Sequence, residues 1–328
     1  ELLPSLLSVW GVVWCWVLLA VGRLLWRKYA VQEQDFRGRR VVVFGGSEGI
    51  GLAIAIKYVL KNAHVTILSR SEEKLVSAIA TLEKNRKSKD QVLAWHVCDV
   101  TDPESVAQAV DKCNPIDLLI SNAGMSLPGF FDEQDLSIYR KQMELNFFGM
   151  VNVVQAVSKD MKKRRQGRIV VVTSQACQVG IPGFASYSAS KYAMRGFLEI
   201  IRLELEVFGV RVQMLVPPDT DTPGYEKENE CKPQVTLAVC DVLGGKPTSA
   251  SQVAEVLCRG VDRGDFTIAP DFGGEVLVGL TAGLGPRNNL LLDVVFSPVF
   301  VVVGAALGFI ANWVTRKHML KKLAESTE

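Results

Sequence analysis

Short apolar runs of strand length alternate with longer amphipathic segments along the centre of this chain, and this alternation constrains its fold more than any other feature. Such alternation is typical of a parallel sheet covered by helices on both faces. It therefore predicts a doubly wound α/β fold with a parallel sheet of about seven strands. The predicted strands cover residues 40–44, 64–69, 92–98, 118–121, 169–173, 210–216 and 266–269. Sheets of this kind bind ligands at the carboxyl ends of their strands, near the point where the strand order reverses.

A glycine-rich loop follows the first predicted strand and opens a helix. Its sequence is Gly45-Gly46-Ser47-Glu48-Gly49-Ile50-Gly51. Glycines at this spacing allow a tight turn and let backbone N–H groups approach a pyrophosphate, which the positive end of the helix also attracts. A plain strand-to-helix turn is the alternative, but the flanking strand and helix favour a dinucleotide site of the Rossmann type. The prediction assigns cofactor contacts to Gly45, Ser47, Gly49, Ile50 and Gly51.

Residues after the next three strands extend this predicted cofactor site. Arg70 ends the second strand, where an acidic residue would hold the 2′-hydroxyl of NAD and an arginine instead matches a 2′-phosphate. This arginine favours NADPH over NADH. Asp99, after the third strand, is expected near the adenine, and Asn122, Ala123 and Gly124, after the fourth, are expected beneath the cofactor.

A serine, a tyrosine and a lysine form the candidate catalytic group. Tyr187 and Lys191 are four positions apart in a helical segment, so their side chains project from one face. An ammonium beside a phenol favours phenolate, so Lys191 is predicted to lower the pKa of Tyr187 from its ordinary value of about 10. Ser174, after the fifth strand, is placed to hydrogen-bond the same substrate oxygen. An exposed helical Tyr–Lys pair is the alternative, and the upstream serine and the glycine loop favour carbonyl reduction.

The N-terminal residues are apolar enough to interact with a membrane. Residues 2–22 carry no charged side chain and are followed by Arg23, Arg27 and Lys28. The length predicts a transmembrane helix, and the position of the cations places the rest of the protein in the cytosol. A cleaved signal peptide is the alternative, but the aromatic residues and the trailing cations fit a retained anchor better.

A second apolar block covers residues 294–314 and ends in a group of cations. It is predicted to be a membrane segment that pairs with residues 275–285, re-enters on the same side or lies in the plane of the bilayer. A buried core helix is the remaining alternative. The predicted organisation is an anchor with a basic flank (residues 1–34), a Rossmann-type domain (residues 35–270) and a C-terminal membrane-associated region (residues 271–328).

Composition argues against several other functions. The 7 cysteines include no C-x-x-C pair, and their odd number argues against a disulfide framework. The 3 histidines are far apart in the sequence, so no metal site is predicted. A net charge of +2 gives no indication of nucleic-acid binding. The basic residues 162–165 are predicted to be the solvated C-terminus of a helix.

Residues 39–269 together resemble a short-chain dehydrogenase/reductase. The resemblance rests on the glycine loop, residues 121–124, and four residues in the order and spacing of that family: Asn146, Ser174, Tyr187 and Lys191. It implies that Tyr187 is the acid/base, that Ser174 polarises the carbonyl and that Lys191 binds the nicotinamide ribose. It also implies that Asn146 holds a water in the proton relay. Relatives often associate through the helices that contain Asn146 and Tyr187, which makes a homo-oligomer a candidate state.

A narrower resemblance covers residues 167–233. This region, with Pro217, Thr220 and Thr222, is similar to 3-ketodihydrosphingosine reductases. Those enzymes are anchored in the endoplasmic reticulum membrane, face the cytosol and reduce a lipid ketone from the bilayer with NADPH. The resemblance implies the same activity here, with Thr220 and Thr222 beside the nicotinamide unless they only form the turn. Residues 225–246 are expected to form a lid over the lipid chain or an ordinary surface excursion, with acidic residues that meet a substrate amine or solvent.

Three residues depart from the family pattern. Phe44 replaces a threonine that braces the glycine loop, and Cys177 replaces a glycine near the serine and is expected to reshape the substrate entrance. Glu48 puts a negative charge into the phosphate loop unless Arg70 screens it or it points outward. Two alternatives therefore stay open. One is a membrane-bound reductase of another lipid carbonyl, such as a retinoid, a steroid or a 3-oxoacyl chain; the other is a non-catalytic subunit of a membrane complex.

Overall fold

The computed structural model describes Gly22, residues 33–283, Gly285, Asn288 and residues 290–325. Its strands are β1 (Arg40–Phe44), β2 (His64–Ser69), β3 (Leu93–Val97), β4 (Leu118–Ser121), β5 (Gly167–Val172), β6 (Val210–Leu215), β7 (Thr220–Asp221), β8 (Thr248–Ser249) and β9 (Thr267–Ile268). All except β7 and β8 form one parallel sheet in the order β3-β2-β1-β4-β5-β6-β9. The predicted doubly wound sheet is confirmed, and the strand ends differ from the prediction by one or two residues.

The first strand shows why these apolar runs form the centre of the sheet. Its side chains alternate between the faces: Val41 and Val43 belong to one buried cluster, and Val42 and Phe44 belong to the other. Arg40, at the start of the strand, is exposed. Because helices cover both faces, the strand is a continuous apolar run and does not alternate with polar residues.

Helices connect the strands and cover the sheet. They are α1 (Gly49–Leu60), α2 (Glu72–Lys84), α3 (Pro103–Cys113), α4 (Leu136–Gln142), α5 (Gly149–Arg164), α6 (Ala185–Glu206), α7 (Pro223–Asn229), α8 (Gln234–Gly244), α9 (Ala250–Arg263), α10 (Phe272–Thr281) and α11 (Leu290–Glu325). Side-chain caps fix several helix starts, as where Ser71 accepts a hydrogen bond from Lys74 N and Asp102 accepts one from Glu104 N. The basic residues 162–165 lie at the C-terminus of α5, as predicted.

The strand order reverses between β1 and β4, and this reversal fixes the position of the ligand crevice. β1 pairs with β2 on one side and with β4 on the other. From β1 the strands are added toward one edge of the sheet as far as β3, and from β4 they are added toward the other edge as far as β9. The loops that follow β1 and β4 therefore diverge. The predicted cofactor loops leave the sheet at this edge.

The C-terminal region is a pair of helices laid against the domain. α11 has 36 residues and continues through Pro298. Within the described part of the chain, Ser297–Ala324 is the one helical stretch long and apolar enough to cross a membrane, and only 6% of its 18-residue apolar window is buried. This supports the predicted C-terminal membrane segment, and the alternative of a buried core helix is wrong. The predicted N-terminal transmembrane helix lies outside the described residues.

One face of α11 contacts α8 and α10 closely. Gly279 of α10 and Gly304 of α11 lie at these contacts, and a Cβ on either glycine would overlap a side chain of the facing helix. Small residues allow two helices to approach in this way. Near the end of α11, Lys322 forms an ion pair with Glu133 of the domain. The long helix therefore contacts the domain both at its middle and near its end.

Candidate active site

The glycine loop turns tightly because other backbone lies directly against it. Gly45 has a φ of +76°, and a Cβ there would lie 2.7 Å from Ala123 N. A Cβ on Gly51 would overlap the carbonyl oxygen of Gly45. The side-chain amide of Asn122 donates to the same oxygen at 2.8 Å. The loop after β4 therefore braces the loop after β1, and a side chain at either glycine would force the turn open.

A cavity of about 290 Å³, which we call the nucleotide crevice, opens above this turn. The predicted cofactor residues that line it are Gly45, Ser47, Gly49, Ile50, Arg70, Asn122, Ala123, Gly124 and Thr222. Gly51 lies beneath the turn instead. The Asp99 carboxylate accepts from Thr101 N at 3.0 Å and from Thr101 Oγ1 at 2.8 Å, between the crevice residues Cys98 and Val100. The bare glycine turn at the N-terminus of α1 fits a pyrophosphate, which the helix end would attract.

The negative charge inside the glycine loop is neutralised by a residue that the sequence analysis missed. Both carboxylate oxygens of Glu48 lie 2.8 Å from Lys74 Nζ. Lys74 lies in the first turn of α2, directly after the β2 loop that contains Arg70. Both side chains of the pair are about half exposed, so the pair contributes little to stability. Its effect is local, because it removes a net negative charge from the side of the crevice where Arg70 lies.

Phe44, the first departure from the family pattern, is fully buried in the core. Its carbonyl oxygen accepts from Asn122 N at 2.9 Å. The next two backbone N–H groups, of Gly45 and Gly46, both donate to Leu68 O, at 2.7 and 3.2 Å. The turn is therefore braced by backbone and by Asn122, without a side-chain hydroxyl at position 44.

The three predicted catalytic side chains converge on a second cavity, of about 530 Å³, which we call the substrate cavity. Ser174 begins the 3₁₀ turn after β5, and Tyr187 and Lys191 lie one turn apart on α6. Lys191 Nζ lies 5.6 Å from the centre of the Tyr187 ring and donates to Val172 O at 3.3 Å. All three residues line the cavity together with Asn122 and Gly124, which also line the nucleotide crevice. The structure brings Ser174, Tyr187 and Lys191 together, and the two cavities meet beside these residues.

The pKa values of this group differ from the sequence-based expectation. Burial raises the pKa of the Tyr187 phenol above its ordinary value, the Glu228 carboxylate raises it further, and the Ser174 hydroxyl opposes the rise. Burial also lowers the pKa of the Lys191 ammonium to about 8. The predicted lowering of the Tyr187 pKa by Lys191 is wrong, because burial disfavours the charged form of both groups. Tyr187 is therefore a protonated phenol at neutral pH, as a proton donor to a ketone must be.

These pKa shifts predict an alkaline limit to ketone reduction. Lys191 keeps its charge below about pH 8 and loses it above, whereas Tyr187 stays protonated through this range. We expect kcat/KM for reduction to be flat up to about pH 8 and to approach a tenfold fall per pH unit beyond it. Steady-state rates across this range in detergent check this expectation. A profile that stays flat to about pH 10 would contradict the assignment of the ammonium.

Asn146 lies in a π-helical segment, Met143–Phe148, between α4 and α5. Its Oδ1 accepts from Met125 N at 2.8 Å, and its Nδ2 donates to Met125 O and to Ser190 Oγ, each at 2.9 Å. The wider turn of a π-helix turns this fully buried amide toward the site. A Cβ on Gly124 would lie 3.1 Å from Asn146 Oδ1 and 3.6 Å from Lys191 Nζ, so the three residues meet. Asn146 positions the loop after β4, and the water that it was predicted to hold stays a prediction.

The part of the substrate cavity away from the catalytic group is apolar, and α11 forms one of its walls. Gly304, Leu307, Gly308 and Ala311 line it from a single face of that helix. The facing walls come from the loop after β4, from the segment before α6, and from α8 and α10; they comprise Met125, Leu127, Val179, Ile181, Phe184, Leu243, Leu277 and Leu280. The cavity therefore extends from the catalytic hydroxyls to the helix that has membrane length.

The segment predicted as a lid, residues 225–246, consists mostly of the helices α7 and α8. Tyr225, Cys240 and Leu243 line the substrate cavity, and Val239 packs against Val314 of α11. The segment is therefore part of the cavity wall and is not an ordinary surface excursion.

Three other predicted residues have local structural roles. Cys177 is fully buried against Val216 and Ala269 and does not line the cavity, so the expectation that it reshapes the substrate entrance is wrong. Thr220 Oγ1 donates to Pro218 O at 2.8 Å, and Thr222 caps α7 by accepting from Tyr225 N. Both threonines also line the substrate cavity, as does Pro217. Among the described residues, no group of three or more His, Cys, Asp or Glu side chains is arranged to hold a metal ion.

Comparison with known proteins agrees with this geometry. The sequence model of the short chain dehydrogenase family matches residues 39–233. This chain belongs to that family. The protein is therefore an oxidoreductase that uses a nicotinamide cofactor.

Several curated proteins are similar to this dehydrogenase over most of its length. The 3-ketodihydrosphingosine reductase of Bos taurus is 36% identical over 296 residues, which cover 87% of this chain and 88% of the relative. The 3-dehydrosphinganine reductase of Danio rerio is 39% identical over 258 residues and 77% of each chain. The corresponding reductase of Dictyostelium discoideum is 35% identical and covers 82% of this chain and 85% of its own.

Solved structures show the same fold. An actinorhodin polyketide ketoreductase with NADPH aligns with a TM-score of 0.64 and 26% identity over 71% of this chain and 94% of its own. A short-chain dehydrogenase/reductase from Mycobacterium ulcerans aligns with a TM-score of 0.67 and 23% identity over 74% and 91% of the two chains.

Proposed function

We propose that this protein reduces 3-ketodihydrosphingosine, a long-chain amino ketone, to the corresponding alcohol with NADPH, as a step of sphingolipid synthesis. One observation carries the proposal: the Ser174, Tyr187 and Lys191 group opens into an apolar cavity whose far wall is the helix of membrane length. A polar head at the hydroxyls and a hydrocarbon chain along α11 suit a single-chain lipid ketone. The names of the similar curated reductases support the same substrate.

The residues of the site divide the reaction between them. Tyr187, protonated at neutral pH, donates a proton to the ketone oxygen, and the Ser174 hydroxyl donates a hydrogen bond to the same oxygen. When bound, the nicotinamide supplies the hydride. Lys191, with a pKa of about 8, returns a proton toward Tyr187 and would bind the ribose hydroxyls of the cofactor. The apolar walls exclude water from the reacting carbonyl.

Arg70 and the Lys74–Glu48 pair support NADPH as the cofactor. Arg70 lines the nucleotide crevice and has an exposed side chain, so it is available to a 2′-phosphate. Lys74 neutralises the one carboxylate of the glycine loop. The rim of the crevice at Arg70 therefore has a net positive charge, which suits a phosphate better than a hydroxyl.

Substituting Arg70 tests the cofactor preference. We expect Arg70→Gln to raise the Kd for NADPH about tenfold and to change the Kd for NADH by less than about twofold, because only NADPH carries the 2′-phosphate. Quenching of intrinsic fluorescence during titration with each cofactor measures both constants. Lys84→Gln, which removes an exposed cation at the other end of α2, is the matched control. An equal loss of both cofactors in Arg70→Gln would argue against a 2′-phosphate site.

The membrane helix and the similar reductases support membrane association. We place the protein in the endoplasmic reticulum membrane with its catalytic domain in the cytosol, where NADPH is supplied. A homo-oligomer through α5 and α6 fits the apolar residues exposed on α6, of which Ile200 and Leu203 are more than half exposed. Sizing in mild detergent distinguishes it from a monomer and from a subunit of a larger complex.

The proposed function is tested by assaying the full chain in detergent micelles with 3-ketodihydrosphingosine and each cofactor. We expect turnover with NADPH and much slower turnover with NADH. All-trans-retinal and a ketosteroid are the comparison substrates, because they distinguish a reductase of another lipid carbonyl. Absence of turnover with the amino ketone would overturn the proposal.

A further inference from the structure

Three charged side chains lie together in the wall of the substrate cavity, beside the catalytic group. Lys232 Nζ is 2.7 Å from Glu228 Oε1 and 3.5 Å from Asp219 Oδ2. The Lys232 side chain is 0% exposed and that of Glu228 is 13% exposed. None of the three belongs to the proton-transfer group, so the chemistry described so far does not account for them.

The two carboxylates and the ammonium of this cluster face different surroundings. Asp219 and Glu228 line the substrate cavity, and Lys232 does not. Lys232 Nζ lies 4.4 Å from the centre of the Tyr225 ring and 5.6 Å from that of Phe184, so these rings cover it. A ligand in the cavity therefore meets the carboxylates with the ammonium behind them. Two carboxylates and one ammonium leave the cluster with a net charge of −1.

The cluster also acts on the catalytic phenol. After burial, Glu228 is the strongest influence that raises the pKa of Tyr187, and Asp219 acts in the same direction. The Phe184 ring contacts both the phenol and the cluster: its centre lies 5.6 Å from that of the Tyr187 ring and 5.6 Å from Lys232 Nζ. Burial also raises the pKa of Glu228 itself, although Lys232 opposes this. The two carboxylates therefore line the same cavity as the catalytic phenol, and a single buried lysine is paired with both of them.

We propose that Glu228 and Asp219 bind the protonated amine on the carbon next to the substrate ketone. This inference rests on the proposed function and deepens it, because it names the residues that distinguish an α-amino ketone from a plain ketone. A bound ammonium brings the net charge of the cluster to zero. Lys227 also lines the cavity, but it is exposed, so its charge is screened by solvent. A ketosteroid, a retinoid or a 3-oxoacyl chain has no positively charged group next to its carbonyl.

The test compares two ketones that differ only in the amine. The full-length protein in micelles is assayed with 3-ketodihydrosphingosine and with 1-hydroxyoctadecan-3-one, which lacks the 2-amino group. For each ketone kcat/KM is measured, and the ratio of the two values is the readout. Because Glu228 also acts on Tyr187, its substitution changes the rate with both ketones, and the ratio removes that shared effect.

We expect Glu228→Gln to lower the ratio at least about tenfold, since a charge-assisted hydrogen bond is lost only with the amino ketone. Asp219→Asn is also expected to lower the ratio. This variant keeps the 2.7 Å ion pair between Glu228 and Lys232, so it tests the proposal even if Glu228→Gln fails to fold. Glu226→Gln and Glu230→Gln, exposed neighbours of Glu228, are the matched controls and should leave the ratio unchanged.

A ratio that stays within about twofold of the wild-type value in the Glu228 and Asp219 variants overturns the amine site. That result leaves the proposed function intact if the wild-type protein still reduces 3-ketodihydrosphingosine. Wild-type protein that reduces neither ketone overturns the proposed function instead, so the two failures are distinguishable.

Discussion

Replacing Tyr187 by phenylalanine is expected to lower kcat about 10²- to 10⁴-fold, because it removes the hydroxyl that we propose as the proton donor to the ketone oxygen. The ring stays in place, so its packing against Phe184, at 5.6 Å between the ring centres, is retained. Nucleotide affinity should change by less than about twofold, since the hydroxyl is the only group removed. Single-turnover absorbance of NADPH measures the chemical step, and fluorescence titration measures the affinity.

The companion variant Lys191→Ala separates proton transfer from cofactor binding. Lys191 is buried at the junction of the two cavities and is expected to bind the ribose as well as to return the proton. Its loss should therefore reduce both kcat and nucleotide affinity. If the two variants lose nucleotide affinity equally, the roles of the phenol and the ammonium are misassigned.

Filling the apolar end of the substrate cavity is expected to have the second-largest effect. Gly308 of α11 lines the cavity, and a Cβ added there meets no atom within 4 Å, so a phenylalanine at this position can enter the cavity without displacing the helix. Burial of one methylene of the lipid chain contributes about 0.8 kcal/mol to binding. If the phenylalanine ring excludes three or four methylenes from the cavity, kcat/KM for a long-chain amino ketone falls roughly 100-fold. A four-carbon amino ketone, which does not reach α11, should be reduced at a nearly unchanged rate.

The matched control for Gly308→Phe is Ala306→Phe, which puts the same ring on the opposite, exposed side of the helix. It should leave both substrates unaffected. Equal losses with the long and the short ketone in Gly308→Phe would mean that the ring disturbs the fold. No loss with either would mean that the lipid chain takes a different path.

The parts of this structure that the sequence predicts are those set by local signals. The central strands β1 and β4 are short apolar runs because both of their faces are buried. The glycine loop is recognisable because a Cβ at Gly45 or Gly51 has no room. Tyr187 and Lys191 share a helix, so their spacing alone places them on one face. Ser174 joins them because the loops after parallel strands meet at one edge of the sheet.

The parts that sequence reasoning missed depend on contacts between distant segments and on burial. The Lys74–Glu48 pair joins α2 to the glycine loop across 26 positions, and no pattern within either segment indicates it. The direction of the Tyr187 pKa shift depends on how deeply the phenol is buried, which the spacing to Lys191 does not reveal. The sequence left the acidic residues of the predicted lid open between a substrate amine and solvent, and only the structure shows that the Glu228 side chain is mostly buried.

The role of α11 is the clearest case of missing information. The helix is apolar around most of its circumference, so the sequence gives no polar face from which to decide what it contacts. Only its small residues indicate which side of α11 contacts the domain: Gly304 permits close contact with α10, and Gly308 leaves space beside the cavity. Glycines in apolar helices are common for other reasons.

This arrangement means that α11 cannot be exchanged for a generic tail anchor. Gly304, Leu307, Gly308 and Ala311 close the catalytic chamber, while Val302, Phe309 and Trp313 on the other side remain exposed. A chimera with a foreign hydrophobic tail would still reach the bilayer but would lack one side of its chamber, and a soluble truncation would expose that chamber to water. In the intact enzyme, hydrophobic inhibitors that partition into the bilayer would contact α11.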